Sequence, residues 1–234
     1  MSNPNIVFFA FILFVSTGLI EAADWPRFRG ADGNASAPSA NVPLTWSATE
    51  NIARKVEIAG NGASSPSVFS GRVYLTSFTG YGLNPDDPGN REDLQQHVLC
   101  FDLNDGKLLW DQSTKASESE QKATRRVADH GYATGTAVCD DRGVYAYFGV
   151  SGLVAYGHEG NLLWQAKTGD GTKGFGSAAS PILYRDLVII NAASKQRRFS
   201  PSTELPAKKS GESKTSRAAG QLRLWPRQQM GETN

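Results

Sequence analysis

Cys100-Phe-Asp-Leu-Asn-Asp-Gly-Lys-Leu-Leu-Trp110 decides the reading of this chain, because its second half recurs as Glu159-Gly-Asn-Leu-Leu-Trp164. In both copies a glycine stands four residues before a tryptophan. The glycine supplies the positive φ of a tight hairpin, and the strand after it delivers an aromatic side chain able to bury about 150–250 Å² against a neighbour. Trp110 and Trp164 are therefore read as packing elements that hold repeats together, not as stackers for a cofactor.

Working outward, each hairpin closes a set of four short apolar runs rich in Val, Ile, Tyr and Phe and separated by Gly, Asp, Asn and Ser. The first set is Ser67-Val-Phe69, Arg72-Val-Tyr-Leu-Thr-Ser77, His97-Val-Leu-Cys-Phe-Asp102 and Lys107-Leu-Leu-Trp110. Thr136-Ala-Val-Cys139, Gly143-Val-Tyr-Ala-Tyr-Phe148, Leu153-Val-Ala-Tyr156 and Asn161-Leu-Leu-Trp164 repeat it. A third set begins with Ala179-Ser-Pro-Ile-Leu-Tyr184 and Asp186-Leu-Val-Ile-Ile-Asn191. Four strands per forty to fifty residues predict an all-β chain, a partial β-propeller of four-stranded blades whose ring is incomplete. Lys55-Val-Glu-Ile58, together with the Trp46 region, is expected to add an N-terminal strand of the kind that completes a last blade.

The first hairpin resembles the tryptophan-docking motif of pyrroloquinoline-quinone (PQQ) repeats, A-x-D-x-x-T-G-x-x-x-W, with Cys100 in place of Ala and Asp105 in place of Thr. In the second copy Ala155 lies nine residues before Trp164, and Gly157 stands where Asp is expected. Asp24-Trp-Pro-Arg-Phe-Arg-Gly30, Leu44-Thr-Trp-Ser-Ala-Thr-Glu-Asn-Ile52, Ser64-Ser-Pro66, His130-Gly-Tyr-Ala133 and Gly176-Ser-Ala-Ala-Ser-Pro181 are similar to exported propeller proteins of planctomycete type. The resemblance covers residues 24 to 194 and places them in the quinoprotein alcohol dehydrogenase-like superfamily. It implies PQQ and calcium as cofactors, and for a working dehydrogenase an adjacent Cys-Cys pair, a catalytic Asp, and a Ca²⁺ held by Glu and Asn. The chain has only Cys100 and Cys139, far apart in sequence.

Both ends differ in character from the repeats. Ile6 to Val15 is an unbroken apolar run followed by small residues up to Ala23, the pattern of a secretory signal, although only the amino terminus supplies charge before it. Ten to fifteen such residues at 1.5 Å each fall short of the roughly 30 Å of a bilayer core. Residues 1–23 are thus expected to be a signal peptide, without a cysteine to carry a lipid anchor, and the protein to be periplasmic or extracellular. From Lys195 onward there are nine Lys or Arg against three Asp or Glu, whereas the first 194 residues carry fifteen against twenty. Strand alternation stops there, so residues 195–234 are read as a disordered, out-of-frame basic tail that leaves Asp186–Asn191 without a ladder partner, in preference to a nucleic-acid-binding arm.

No residue earns a catalytic, cofactor-binding or metal-binding assignment. Cys100 and Cys139 could form one disulfide in an oxidising compartment, but their apolar strand settings favour small buried thiols. Asn84-Pro-Asp-Asp-Pro-Gly-Asn90 has oxygen ligands in a spacing that suits an ordinary turn better than calcium. His130 is a loop histidine with a structural role, and His97 and His158 are expected to lack Asp or Ser partners for a triad. Asn34-Ala-Ser36 fits a glycosylation acceptor that matters only in a eukaryotic secretory pathway. A net charge of +1 gives no case for nucleic acid. Two functions follow: a non-enzymatic scaffold that binds protein partners through the propeller surface, or a fragment of a PQQ-dependent dehydrogenase.

Overall fold

Ser70 and Gly71 both adopt positive φ, 48° and 73°, which makes the two-residue turn that starts the first repeat. That turn joins β1 (Ser67–Phe69) to β2 (Arg72–Thr79), and β3 (Gln95–Asp102) and β4 (Leu108–Lys115) complete an antiparallel sheet ordered β1-β2-β3-β4. The second sheet repeats this order with β5 (Val138–Asp140), β6 (Gly143–Tyr147), β7 (Leu153–Tyr156) and β8 (Leu162–Ala166). In the third, β9 (Ile182–Tyr184), β10 (Leu187–Ala192) and β11 (Gln221–Pro226) are ordered β11-β10-β9. This computed structural model describes residues 23–37, 42–122, 131–168, 177–192 and the backbone of 221–226. Its sheets are successive blades of a partial propeller, with no closed ring among the described residues. No helix among them is long and apolar enough to cross a membrane.

Strand alternation explains how the blades stack. In β2 and β3 the residues Tyr74, Phe78, Val98 and Cys100 share a buried cluster with Val144, Ala146, Val154 and Tyr156 of the second sheet. The alternate residues of that sheet, Tyr145, Tyr147, Leu153 and Ala155, face the other way and join Val188, Ile190 and Ala192 of the third. The second sheet is therefore covered on both faces, so every residue of β6 and of β7 is buried. That is why their sequences are nearly unbroken apolar runs instead of alternating ones.

The tryptophan hairpin does what its sequence predicts and more. The Trp110 indole N–H donates to the His158 carbonyl at 2.8 Å, tying the outer strand of the first blade to the second blade. Gly160 has φ 85°, and a Cβ placed on it would lie 2.9 Å from Trp110 Cγ. Glycine is thus needed twice at this position, once for its hairpin and once to let the ring approach. Gly160→Ala is expected to cost about 1 kcal/mol for the left-handed backbone alone, plus whatever the displaced ring loses, and to lower the melting temperature measured by circular dichroism. An unchanged melting temperature would show that the hairpin yields without strain.

One expectation about the ends is corrected, and another concerns a blade that is not among the described residues. Lys55–Ile58 joins no ladder and is exposed; instead Arg54 donates from its guanidinium to the Leu103 carbonyl and Val56 lies beside Gly106, so the segment runs past the β3–β4 hairpin. The sheet edge it was expected to complete belongs to no blade among the described residues. Asp186–Asn191 does have a ladder partner, because β11 pairs with β10 from Leu187↔Pro226 to Ala192↔Gln221. Its sequence, Gln221-Leu-Arg-Leu-Trp-Pro226, alternates polar and apolar residues only over its first four positions, a short signal outweighed by the charged composition around it. The rest of the basic tail, the signal segment and His130 lie outside the described residues.

Candidate functional site at the inner rim

The chain entering the first blade doubles back across the inner strands. Trp25 and Val68 exchange both backbone hydrogen bonds at 2.8 Å, and the Cys139 N–H donates to the Pro26 carbonyl at 2.8 Å. Residues 24–33 thereby strap the inner edges of the first two blades. The strap's own turn is held by Arg27, whose Nε donates to the carbonyls of Gly30 at 3.1 Å and Ala31 at 3.0 Å, and whose Nη2 donates to Ala31 at 2.6 Å. Gly30, at φ 80°, leaves room for the Trp25 ring, whose atoms would come within 2.8 Å of a Cβ there.

Facing the strap are the residues that lead into β5 and β9, and a hydroxyl relay locks them in register. The Ser65 N–H donates to Thr136 Oγ1 at 3.0 Å, and the Thr136 N–H donates to Ser180 Oγ at 3.0 Å. Each blade's hydroxyl thus accepts from the backbone of the blade before it. Between strap and relay lies a cavity of about 570 Å³ whose polar lining includes Arg27, Arg29, Asp32, Thr136 and Ser180. The size suits a small ligand. Sequence reasoning missed this site; the signal that could have found it is the unusual density of charge in Arg27-Phe-Arg-Gly-Ala-Asp32.

The histidines are better partnered than their sequence positions suggest. His97 Nδ1 lies 2.8 Å from Asp111 Oδ1, and its Nε2 lies 2.8 Å from Thr79 Oγ1. The expectation that His97 has no acidic partner is therefore corrected: Asp111 sits opposite Leu99 on β4, one diagonal step from His97. This hydroxyl–imidazole–carboxylate line clamps β2, β3 and β4 together. His158 contacts Tyr74 Oη through Nδ1 at 2.6 Å and donates from Nε2 to the Asp140 carbonyl at 2.8 Å, while its ring stacks on Phe69. With both ring nitrogens engaged and its carbonyl holding Trp110, His158 is a blade-docking residue.

Both cysteines are free and buried. Burial pushes the Cys100 thiol up to about 11 and the Cys139 thiol up to about 12, so neither is a thiolate near neutral pH. The acidic turn 84–90 is organised from within, with the Asn84 side-chain Oδ1 accepting from the Asp86 N–H at 3.0 Å. Among the described residues no group of three or more His, Cys, Asp or Glu side chains converges as metal ligands. Asn34 Oδ1 similarly accepts from the Ser36 N–H at 2.9 Å in an exposed turn.

One buried acid stands apart from the rim. Ser117 caps the short helix α1 (Glu118–Gln121), and Glu120 on that helix is 3% exposed. Its carboxylate accepts from the Val150 N–H at 3.1 Å, in the β6–β7 connection of the next blade. Burial raises its pKa to about 7, opposed by the backbone hydrogen bonds from Ser151 and Val150.

No family model and no curated protein matches the chain. Among solved structures it is similar to the quinohemoprotein alcohol dehydrogenase ADHIIG of Pseudomonas putida HK5, with 19% identity over 58% of this chain and a TM-score of 0.36. The match spans 17% of that enzyme's chain. A likeness this distant carries no argument about activity, and the class of the fold rests on the strand order and blade stacking described above.

Proposed function

We propose that this chain is an exported binding or assembly module that docks a protein partner through an open blade face, in preference to a catalyst. The observation that carries the reading is the far face of the third sheet. Pairing of Ile182 with Ile189 and of Tyr184 with Leu187 puts four large apolar or aromatic side chains on that face. Ile182 is 44% and Tyr184 56% exposed. In the second sheet Val138, which matches Ile182, and Tyr145, which matches Ile189, are 2% and 0% exposed because the third sheet covers them. An apolar sheet face of this kind favours association.

Wild-type protein is expected to aggregate or to elute above monomer mass, and Ile182→Lys with Tyr184→Lys to shift it to a monomer while moving the melting temperature by only a few degrees. A soluble wild-type monomer that melts cooperatively would sink the reading. The alternative, a fragment of a PQQ-dependent dehydrogenase, is tested by titrating the full chain with PQQ and Ca²⁺. Saturable binding would return the protein to that class.

A further inference from the structure

We propose that the inner-rim cavity binds a small hydroxycarboxylate, gripped by Arg29, Thr136 and Ser180 and anchored at its hydroxyl end by Asp32. The cavity meets the open blade face at Ile182, but the inference rests on the polar lining and is tested on residues that the docking reading does not use.

The lining supplies donors and acceptors that the fold does not use. Arg27 is committed to the Gly30 and Ala31 carbonyls, whereas the Arg29 guanidinium and the Asp32 carboxylate make no side-chain hydrogen bond or ion pair among the described residues. Thr136 and Ser180 both accept backbone N–H bonds through their hydroxyl oxygens. Their own O–H protons remain to be donated, because a hydroxyl carries one donor beside its lone pairs. A guanidinium and two hydroxyl donors around one cavity form a carboxylate-recognising set. Asp32, on the same lining, can only accept when ionised, so it selects a ligand that also carries a donor.

Backbone strain points to the same residue. Arg29 has φ 66°, in the left-handed region that costs a non-glycine residue free energy. Glycine would satisfy that turn more cheaply. A long cation held in a strained conformation at the wall of a cavity, with no partner inside the fold, is the pattern expected where strain serves a ligand.

The test is isothermal titration of the full chain with lactate, at low ionic strength. Saturable binding with a dissociation constant of order 1 mM is expected, weakened about tenfold for acetate, which lacks the hydroxyl, and absent for propane-1,2-diol, which lacks the carboxylate. Arg29→Gly is expected to abolish binding and yet raise the melting temperature by a few degrees, because it relieves the strained turn. Arg91→Gln, remote from the rim beside Tyr81, is expected to bind lactate unchanged. The proposal is overturned if lactate shows no saturable heat, if Arg29→Gly binds it as well as wild type, or if inorganic phosphate binds more tightly than lactate.

Discussion

Trp110→Ala is expected to destabilise the chain by about 3 kcal/mol, the low end for removing a large aromatic from a packed setting. The ring is only partly buried, but it packs on Gly160 and lies 5.9 Å from the Tyr74 ring and 6.0 Å from the Tyr156 ring. Its loss also leaves the His158 carbonyl without the indole donor. Trp110→Phe keeps most of the packing and loses the N–H, so it is expected to cost about 1 kcal/mol. Urea denaturation followed by circular dichroism reads both values without relying on the fluorophore being removed. If the two variants lose the same amount, the hydrogen bond and not the packing holds the blades. If neither loses more than a few tenths, the docking role assigned to the hairpin is wrong.

The second large effect is on pH dependence, through Glu120. An ordinary glutamate titrates near 4.5, while burial raises this one to about 7 in the folded chain. Between those values the folded state keeps a proton that the unfolded state releases. The associated stability is complete below pH 4.5 and is lost as pH rises through about 7, with an upper bound of about 3 kcal/mol for a difference of that size. Glu120→Gln carries no ionisable proton, so it is expected to flatten the loss between pH 5 and 8 and to be the more stable protein at pH 8. Denaturation midpoints across that range decide the matter, and an undiminished slope in the variant would remove Glu120 as its source.

Glu120 also shows why some of the molecule was not legible beforehand. In sequence it is one of two acids in Glu118-Ser-Glu-Gln121, with nothing to distinguish it from a solvated helix turn. Only the approach of the Val150 and Ser151 backbone from the next blade makes it a buried acceptor. His97 and Asp111 are hidden for a related reason. They are fourteen residues apart, and they meet because β3 and β4 pair with a register that sets Asp111 opposite Leu99.

Sequence alone determined the local architecture, because it depends on interactions within a repeat. Alternation, turn residues and the Gly-x-x-x-Trp hairpin marked ten of the strands to within a few residues and separated three repeats. The burial of both cysteines followed from the same alternation. Tertiary structure decided everything that depends on which repeats touch. It carried residues 24–33 across the inner strands, set Arg29 and Asp32 against Thr136 and Ser180, and drew β11 to β10 from beyond residue 220. Those contacts join segments far apart in the chain, and their cost in ordering is recovered only when several blade faces are buried together, so no window of sequence contains them.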